Sequence, residues 1–338
     1  MDDAKKDIAS GVDAEIYAGN QRIPAGQLAL AVSAICIAYT AFHIGVMNLY
    51  PLETWTYRLI HVGGGLVIGF LLFSSTLFGP RGAVEPAATP LMREALVVAP
   101  GALAVTIALL QVLGYWFTAA GIDQAAAKTA DVATMGLPLL CGTGWLIAVA
   151  WFRPGKGRGR IDLCDIFLAV SAIAVTLYII YHAPLLRLRA GTGLAKDADM
   201  YAAITGVVLI LELTRRVAGL ALVIIAGVFV AYSFVGPWLP GVLYHKGYTA
   251  SRFFTYIFTD QGILGPTTAI SSTYIILFVA FAAFLQASRV GEYFVNFAFA
   301  IAGDKRGGPA KVAVFASGLM GMINGTSAGN VVATGSLT

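Results

Sequence analysis

Charge is scarce in this chain. Only 12% of its 338 residues are Asp, Glu, Lys or Arg, whereas 58% are hydrophobic. Soluble domains carry about 25% charged residues, so the composition argues against a soluble fold. A chain this apolar can bury its surface in a bilayer, which solvates many helices side by side. The net charge of +4 is spread thinly over the loops, and no nucleic-acid partner is expected.

Paired cysteines and catalytic motifs are also missing. Cys36, Cys141 and Cys164 have neither disulfide nor metal-ligand spacing, so we expect buried free thiols. The sequence contains no nucleophile elbow, P-loop, zinc-protease or CxxC motif, and none of its four histidines is paired at ligand spacing. We therefore predict no enzymatic activity and no cofactor. Residues 1–24 are polar and the first apolar run is too long for a signal peptide, so none is expected.

One acidic pair leaves an enzymatic alternative open. Asp162 and Asp165 form a D-x-x-D motif, which could serve a membrane-embedded phosphotransferase. Both residues are also predicted at a helix N-terminus, where carboxylates favour the helix dipole in any case. Glu212 stands three and four positions before Arg215 and Arg216, and this spacing predicts a local ion pair.

Long apolar runs dominate the chain. They predict an all-α, polytopic integral membrane protein with about eight transmembrane helices, because a span needs about 20 apolar residues. A weaker segment, 292–302, is expected to lie along the cytoplasmic face as an arm helix. The runs are 28–50, 59–78, 95–117, 133–152, 163–183, 200–213, 217–235 and 269–285.

The loops carry their positive charge unevenly. Lys and Arg collect on every second loop, which predicts a cytoplasmic N-terminus. Arg187, Arg189 and Lys196 are an exception, since they fall on the outer side. The outer loop 237–265 is rich in aromatic residues, which could form an interfacial belt or a docking surface for an external partner.

The C-terminal stretch 315–338 differs from an ordinary membrane helix, because its last 22 residues hold five glycines, several hydroxyl and amide side chains and no charge. Glycines favour non-helical backbone, which is tolerated at membrane depth only where it is buried in protein or lines a water-filled cavity. Unwound carbonyls and hydroxyls there can hold Na⁺. We predict that 324–330 forms the tip of a re-entrant helical hairpin. The expected ion- and substrate-binding residues are Asn324, Gly325, Thr326, Ser327, Asn330 and Thr334, with Na⁺ at the first four.

Tight helix packing through small residues is the alternative for this stretch. It explains Gly318 and Gly321. It does not explain the polar side chains around Thr326, because unpaired polar groups in apolar surroundings are costly.

The second half of the chain resembles the large membrane subunit of tripartite ATP-independent periplasmic (TRAP) transporters, in the fused-permease, TAXI-associated form. The resemblance rests on the segments 212–222, 234–249, 262–294 and 307–338. Asn324-Gly325-Thr326-Ser327-Ala328 stands where members often have a Ser-Gly-Ser-Ser type run. Upstream, 57–73 and 161–170 resemble the small subunit, whereas 80–160 fit that pattern less well.

The resemblance implies a Na⁺-coupled permease of the bacterial inner membrane. It would import small carboxylates that a periplasmic substrate-binding protein delivers, by an elevator-type movement. The implied organisation is a cytoplasmic tail (1–24), a small-subunit part (25–200) and the start of the large subunit (201–338). Because such transporters share the site between two broken helices, we expect the chain to be an N-terminal fragment. A non-transporting scaffold or channel-like subunit remains the second alternative.

Overall fold

The computed structural model describes residues 19–78, 91–118, 131–153, 158–192, 194–288 and 290–322. Within these ranges the regular structure is helical, apart from one isolated β-bridge between Gln21 and Phe73. The predicted all-α class is therefore confirmed.

The helices follow the apolar runs of the sequence. Two π-helical turns, Val132–Gly136 and Ser271–Ile275, and two 3-10 turns, Gly236–Trp238 and Gly241–Leu243, lie between them. In chain order the α-helices of the described residues are α1 Gly26–Asn48, α2 Thr54–Leu72, α3 Leu91–Thr118, α4 Leu137–Phe152, α5 Leu163–Arg189, α6 Asp197–Ala218, α7 Leu220–Val235, α8 Ala250–Ile257, α9 Pro266–Ile270, α10 Ile276–Ala287, α11 Val290–Ala302 and α12 Gly308–Gly321.

Seven helical segments in the described part of the chain are long and apolar enough to cross a membrane. The eighth predicted run, 200–213, lies inside α6, which is 22 residues long but has acidic residues in its first turn and Arg215 and Arg216 in its last. The predicted arm coincides with α11, and its position relative to the membrane stays a prediction. The seven segments are Gly26–Asn48, Thr54–Leu72, Met92–Phe117, Val132–Phe152, Leu163–Arg189, Leu220–Trp238 and Pro266–Leu285.

Residue contacts divide the chain into two compact units. Within the described residues, the larger is Gly19–Ser272 and the smaller begins at Thr273. The division falls inside the segment Pro266–Leu285. It is not a test of the predicted domain boundaries near residues 24 and 200, which stay predictions.

Helix α5 is the centre of the larger unit. It packs against α2, α3, α4 and α6. In its most apolar stretch 56% of the residues are buried, compared with 6% in the segment Leu220–Trp238. Small residues make this close packing possible. At Gly63 of α2, an added Cβ would lie 2.2 Å from the hydroxyl oxygen of Thr176 on α5. The core is therefore built around one central helix that is in contact with four others.

Local chemistry sets several helix ends in this unit. The Glu53 carboxylate accepts hydrogen bonds from the backbone N–H groups of Trp55 and Thr56 and so caps α2. At the start of α6, the Asp199 carboxylate accepts from the backbone N–H of Lys196. Helix α6 ends at Gly219, whose φ of 85° favours glycine.

In the smaller unit, α11 and α12 pack together through small apolar side chains. Ala298, Ala302, Val312 and Ala316 form a buried cluster. Gly307, with a φ of 74°, lies in the turn between the two helices. The small side chains allow a close helix pair, which is common in membrane proteins.

The three cysteines only partly match the prediction. All are free thiols, and Cys164 is buried and Cys36 half-buried, but Cys141 is exposed on α4. The prediction of a buried thiol is wrong for Cys141 because its apolar surroundings in sequence belong to a helix face that no other described helix covers. An apolar run marks a bilayer-compatible helix without showing which face meets protein.

Candidate functional site

The predicted cation site lies outside the described residues. This applies to Asn324, Gly325, Thr326, Ser327, Asn330 and Thr334, so the hairpin tip stays a prediction. The structure does describe the helix that leads to it. Helix α12 ends at Gly321, three positions before Asn324.

The larger unit contains a groove that is lined by residues of its apolar helices. It has a volume of about 570 Å³ and lies between α2, α6 and the residues around α9. Its wall is mainly aliphatic, with contributions from Ile210 and Leu213. The imidazole of His61 and the hydroxyl-bearing side chains of Thr267 and Ser271 interrupt this wall. We call this site the Ser271 groove.

The helix that borders the groove is interrupted. Helix α9 passes into the π-helical turn Ser271–Ile275 before α10 begins, and π-turns are frequent at functional sites. Two side chains of α2 contact this π-helical turn. The Tyr57 hydroxyl donates to the backbone oxygen of Ser272, and His61 Nε2 lies 3.0 Å from the Ser271 hydroxyl oxygen. The apolar pattern of the sequence does not predict this interruption. A run of hydroxyl residues inside the apolar segment 269–285 was its signal.

Two histidines that are 18 positions apart meet beside the groove. His43 Nε2 on α1 lies 2.9 Å from His61 Nδ1 on α2. The Tyr39 hydroxyl also lies 2.9 Å from His61 Nδ1 and donates to the His61 backbone oxygen at 2.8 Å. Sequence spacing gave no sign of this pairing, because the two residues are on different helices.

The acidic pair Asp162/Asp165 is neutralised by arginines. Asp165 is bonded by Arg22 through one oxygen and by Arg216 through the other, the latter at 2.7 Å, while Asp162 binds Arg22 at 2.9 Å. Glu212 forms the predicted local ion pairs with Arg215 and Arg216. We call these six residues the Asp165 cluster. It joins the N-terminal segment to the adjoining ends of α2, α5 and α6.

At the opposite ends of the same helices, two of the three residues that depart from the charge rule are paired with carboxylates. Arg189 forms a two-contact ion pair with the buried carboxylate of Asp199, at 2.6 and 2.8 Å. Arg187 pairs with Glu53 and stacks over the ring of Trp55. Both positive charges are therefore compensated locally.

A polar pocket of about 620 Å³ opens at this end. Glu53, Arg58, Arg187, Asp260 and Gln261 are among its lining residues. Burial alone would raise the pKa of the Glu53 carboxyl, but hydrogen bonds from Trp55, Thr56 and Arg187 outweigh it and lower the pKa to about 2. The pocket therefore retains a carboxylate under mildly acidic conditions.

Glu53→Gln is expected to destabilise the protein in a pH-dependent way. Because the folded protein lowers the pKa of Glu53 from 4.5 to about 2, its carboxylate stabilises the fold fully above pH 4.5 and loses this effect as pH falls towards 2. The difference in melting temperature between wild type and variant should therefore shrink across this window. Arg187→Gln is the matched control and should reproduce only part of the effect, because the two backbone N–H groups remain. A difference that is constant with pH would contradict the assignment.

Metal-ligand clusters do not occur in the described part of the chain, where no three His, Cys, Asp or Glu residues come together in a possible metal site. The remaining histidines have structural contacts. His182 lies among the rings of Tyr115, Tyr178 and Tyr181, and His245 contacts the backbone of Tyr232 and Gly247.

Comparison with known proteins matches the second part of the chain to a transport family. The model of the family described as "Tripartite ATP-independent periplasmic transporter, DctM component" matches residues 205–338. This range includes one wall of the Ser271 groove, the interrupted helix and α12. No curated protein and no solved structure matches the chain. Residues 205–338, which are fewer than half of the chain, are therefore similar to the DctM component of tripartite ATP-independent periplasmic transporters.

Proposed function

We propose that the protein is the membrane permease of a secondary active transporter of the inner membrane. It couples Na⁺ entry to the import of small carboxylates that a periplasmic substrate-binding protein delivers. The observation that carries this proposal is the family match over residues 205–338, which extends through the uncharged, hydroxyl-rich end of the chain.

The approach to the predicted site supports the proposal. Helices α11 and α12 form a close pair, and α12 ends where the run of Asn, Thr and Ser side chains begins. A helix end at membrane depth exposes backbone carbonyls, and these oxygens together with hydroxyls suit Na⁺. No charged side chain in 315–338 competes for the ion.

The distribution of charge supports a cytoplasmic N-terminus. Arg22 lies at the same end of the larger unit as Arg158, through the backbone contact of Ile23 with Arg158, and as Arg216, through Asp165. At the opposite end, Arg187 and Arg189 are paired with acidic residues. The end with more positive charge faces the cytoplasm under the positive-inside rule.

The double substitution Thr326→Ala/Ser327→Ala tests the proposal. Uptake of small mono- and dicarboxylates by proteoliposomes is measured with the full-length permease and its binding protein, with and without a Na⁺ gradient. We expect Na⁺-driven uptake to fall by about tenfold or more, because each lost oxygen ligand weakens binding by about 1–3 kcal/mol. Ser233→Ala is the matched control, since this hydroxyl only donates to the Phe229 carbonyl of its own helix.

Each result separates the proposal from its alternatives. Uptake that is unchanged in the double variant would remove Thr326 and Ser327 from the site. Wild-type uptake that ignores the Na⁺ gradient would contradict Na⁺ coupling. No uptake of any carboxylate by the wild type, despite bound binding protein, would favour a scaffold or channel-like subunit.

A further inference from the structure

The hydrogen bonds around His43 and His61 form a chain with one consistent direction. His43 Nδ1 lies 2.7 Å from the backbone oxygen of Tyr39, and a carbonyl oxygen can only accept. His43 Nδ1 must therefore carry a proton. In the neutral ring, His43 Nε2 is then an acceptor and faces His61 Nδ1.

The same reasoning fixes the proton on His61. Because His43 Nε2 accepts, His61 Nδ1 is the donor between the two rings. The Tyr39 hydroxyl proton is used by the His61 backbone oxygen at 2.8 Å, so its oxygen is free to accept from His61 Nδ1. In the neutral state, His61 Nε2 is then an acceptor for the Ser271 hydroxyl, 3.0 Å away. The tautomers of both rings follow from this bonding pattern.

The hydrogen-bond chain can take up one further proton at a single atom, His61 Nε2. A proton added to His61 Nε2 would be donated to the Ser271 oxygen, and the other contacts of the ring would stay as they are. Ser271 needs only to rotate its hydroxyl, which can then donate to the carbonyl one helical turn earlier, as serines in helices commonly do. A proton added to His43 would instead place two N–H groups against each other at 2.9 Å.

Two features of the surroundings bear on a charge at His61. The groove of about 570 Å³ is lined by His61 and Ser271, so a small ligand in the groove can reach both side chains. The Tyr39 ring stacks on His61 with centroids 6.0 Å apart, and the face of an aromatic ring attracts a cation.

No described carboxylate contacts either ring. The titratable neighbours are Tyr39 and His43 on α1 and Tyr57 on α2, while the residues around α9 present hydroxyls and backbone oxygens. Helix α6 contributes Ile210, Leu213, Thr214, Val217 and Ala218 to the groove, and its Glu212 is bound by Arg215 and Arg216. From α5, Thr176 faces Gly63 of the same helix as His61. A proton at His61 would therefore be a charge without a carboxylate partner, stabilised only by the Ser271 oxygen and the Tyr39 ring.

We propose that His61, oriented by His43 and Tyr39, is a proton-binding site within the membrane spans, and that Ser271 of the interrupted helix responds to its occupancy. The ligand is a single proton from water in the groove. Because the Ser271 hydroxyl donates in the neutral state and accepts in the charged state, proton binding changes a contact at the π-turn itself. Intramembrane histidines with defined partners commonly mark such functional positions.

Nitrogen NMR of isotope-labelled histidine in nanodiscs tests the proposal directly on the full-length protein. The chain has four histidines, so single His→Gln variants assign every signal. We expect His61 to be the neutral Nδ1–H tautomer near neutral pH and to become the imidazolium as the pH is lowered well into the acidic range, because burial disfavours the charged ring. His43 should remain the neutral Nδ1–H tautomer over the same range.

Ser271→Ala tests the role of the hydroxyl. It removes the acceptor of the added proton, so the proton affinity of His61 should fall by about tenfold, which is a shift of about one pH unit. Ser233→Ala is the control and should leave the titration unchanged. A His61 ring that stays neutral over the whole range would overturn the proposal, and so would a titration that Ser271→Ala does not move. The wild-type spectrum decides the first question even if the variant fails to fold.

Discussion

Replacing Asp165 with Ala is expected to lower the free energy of unfolding by about 3–5 kcal/mol, because it leaves buried charges uncompensated. The side chains of Arg22 and Arg216 are fully buried, and each donates to one oxygen of the Asp165 carboxylate. Each arginine already has one buried nitrogen without a hydrogen-bond partner among the described residues: Nε of Arg22 and Nη2 of Arg216. Unfolding of the purified protein by SDS in mixed micelles measures the loss.

Asp162→Ala is the matched control for this prediction. Asp162 has the same side chain and also binds Arg22, but it is 18% exposed and Arg22 keeps its bond to Asp165. We expect a loss of about 1 kcal/mol or less, as for exposed ion pairs. Equal losses in the two variants would show that the Asp165 cluster does not depend on its central carboxylate.

This structural role also changes how the enzymatic alternative can be tested. In a transporter, Asp165→Asn would be harmless if Asp165 only favoured a helix dipole. Because Asp165 bridges two buried arginines, its loss affects folding whatever the protein does. Loss of function in this variant alone would therefore not indicate catalysis, and Asp162→Asn is the more selective test.

Gly262→Ala is expected to destabilise the protein by about 3 kcal/mol, through steric overlap and a lost hydrogen bond. A Cβ at position 262 would lie 2.0 Å from the backbone oxygen of Ile257. That oxygen already accepts a hydrogen bond from the Ile263 N–H at 2.7 Å, so the turn must open to relieve the overlap. Since this turn leads directly into the interrupted helix, the Ser271 groove should change shape with it.

Gly227→Ala provides the matched control. It makes the same chemical change in α7, where no atom lies within 4 Å of the added Cβ. Alanine also favours a helix by up to about 1 kcal/mol over glycine, so we expect a neutral or slightly stabilising effect. SDS unfolding of both variants measures the contrast, and similar stabilities would contradict the close approach at Gly262.

Most of the helices could be predicted from the sequence because membrane spans are a local property. A run of about 20 apolar residues is enough to specify a helix in a bilayer, where every backbone polar group must be bonded within the segment. The segment Asp197–Ala218 departs from this rule. It is helical over 22 residues, yet its end charges are stabilised by Arg189 and Asp165, which both lie on α5.

The contacts between the helices could not be predicted in the same way. Arg22 and Asp165 are 143 positions apart, and His61 and Ser271 are 210 apart. No periodicity links such residues, because their proximity depends on which helix faces pack together. Likewise, Arg187 and Arg189 depart from the charge rule in the sequence, and only the structure shows that Glu53 and Asp199 lie beside them.

The sequence by itself determined that this protein is an all-helical membrane protein with transporter-like features near its C-terminal end. Composition and apolar runs are sufficient for the first, and an uncharged hydroxyl-rich stretch with a family resemblance supports the second. Only the tertiary structure decided that Asp162 and Asp165 are bound by arginines, that His43 and His61 share a hydrogen bond, and that the helix at Ser271 is interrupted. Each of these features involves side chains of different helices in contact with one another. Such contacts depend on how the helices pack, which local sequence patterns do not specify.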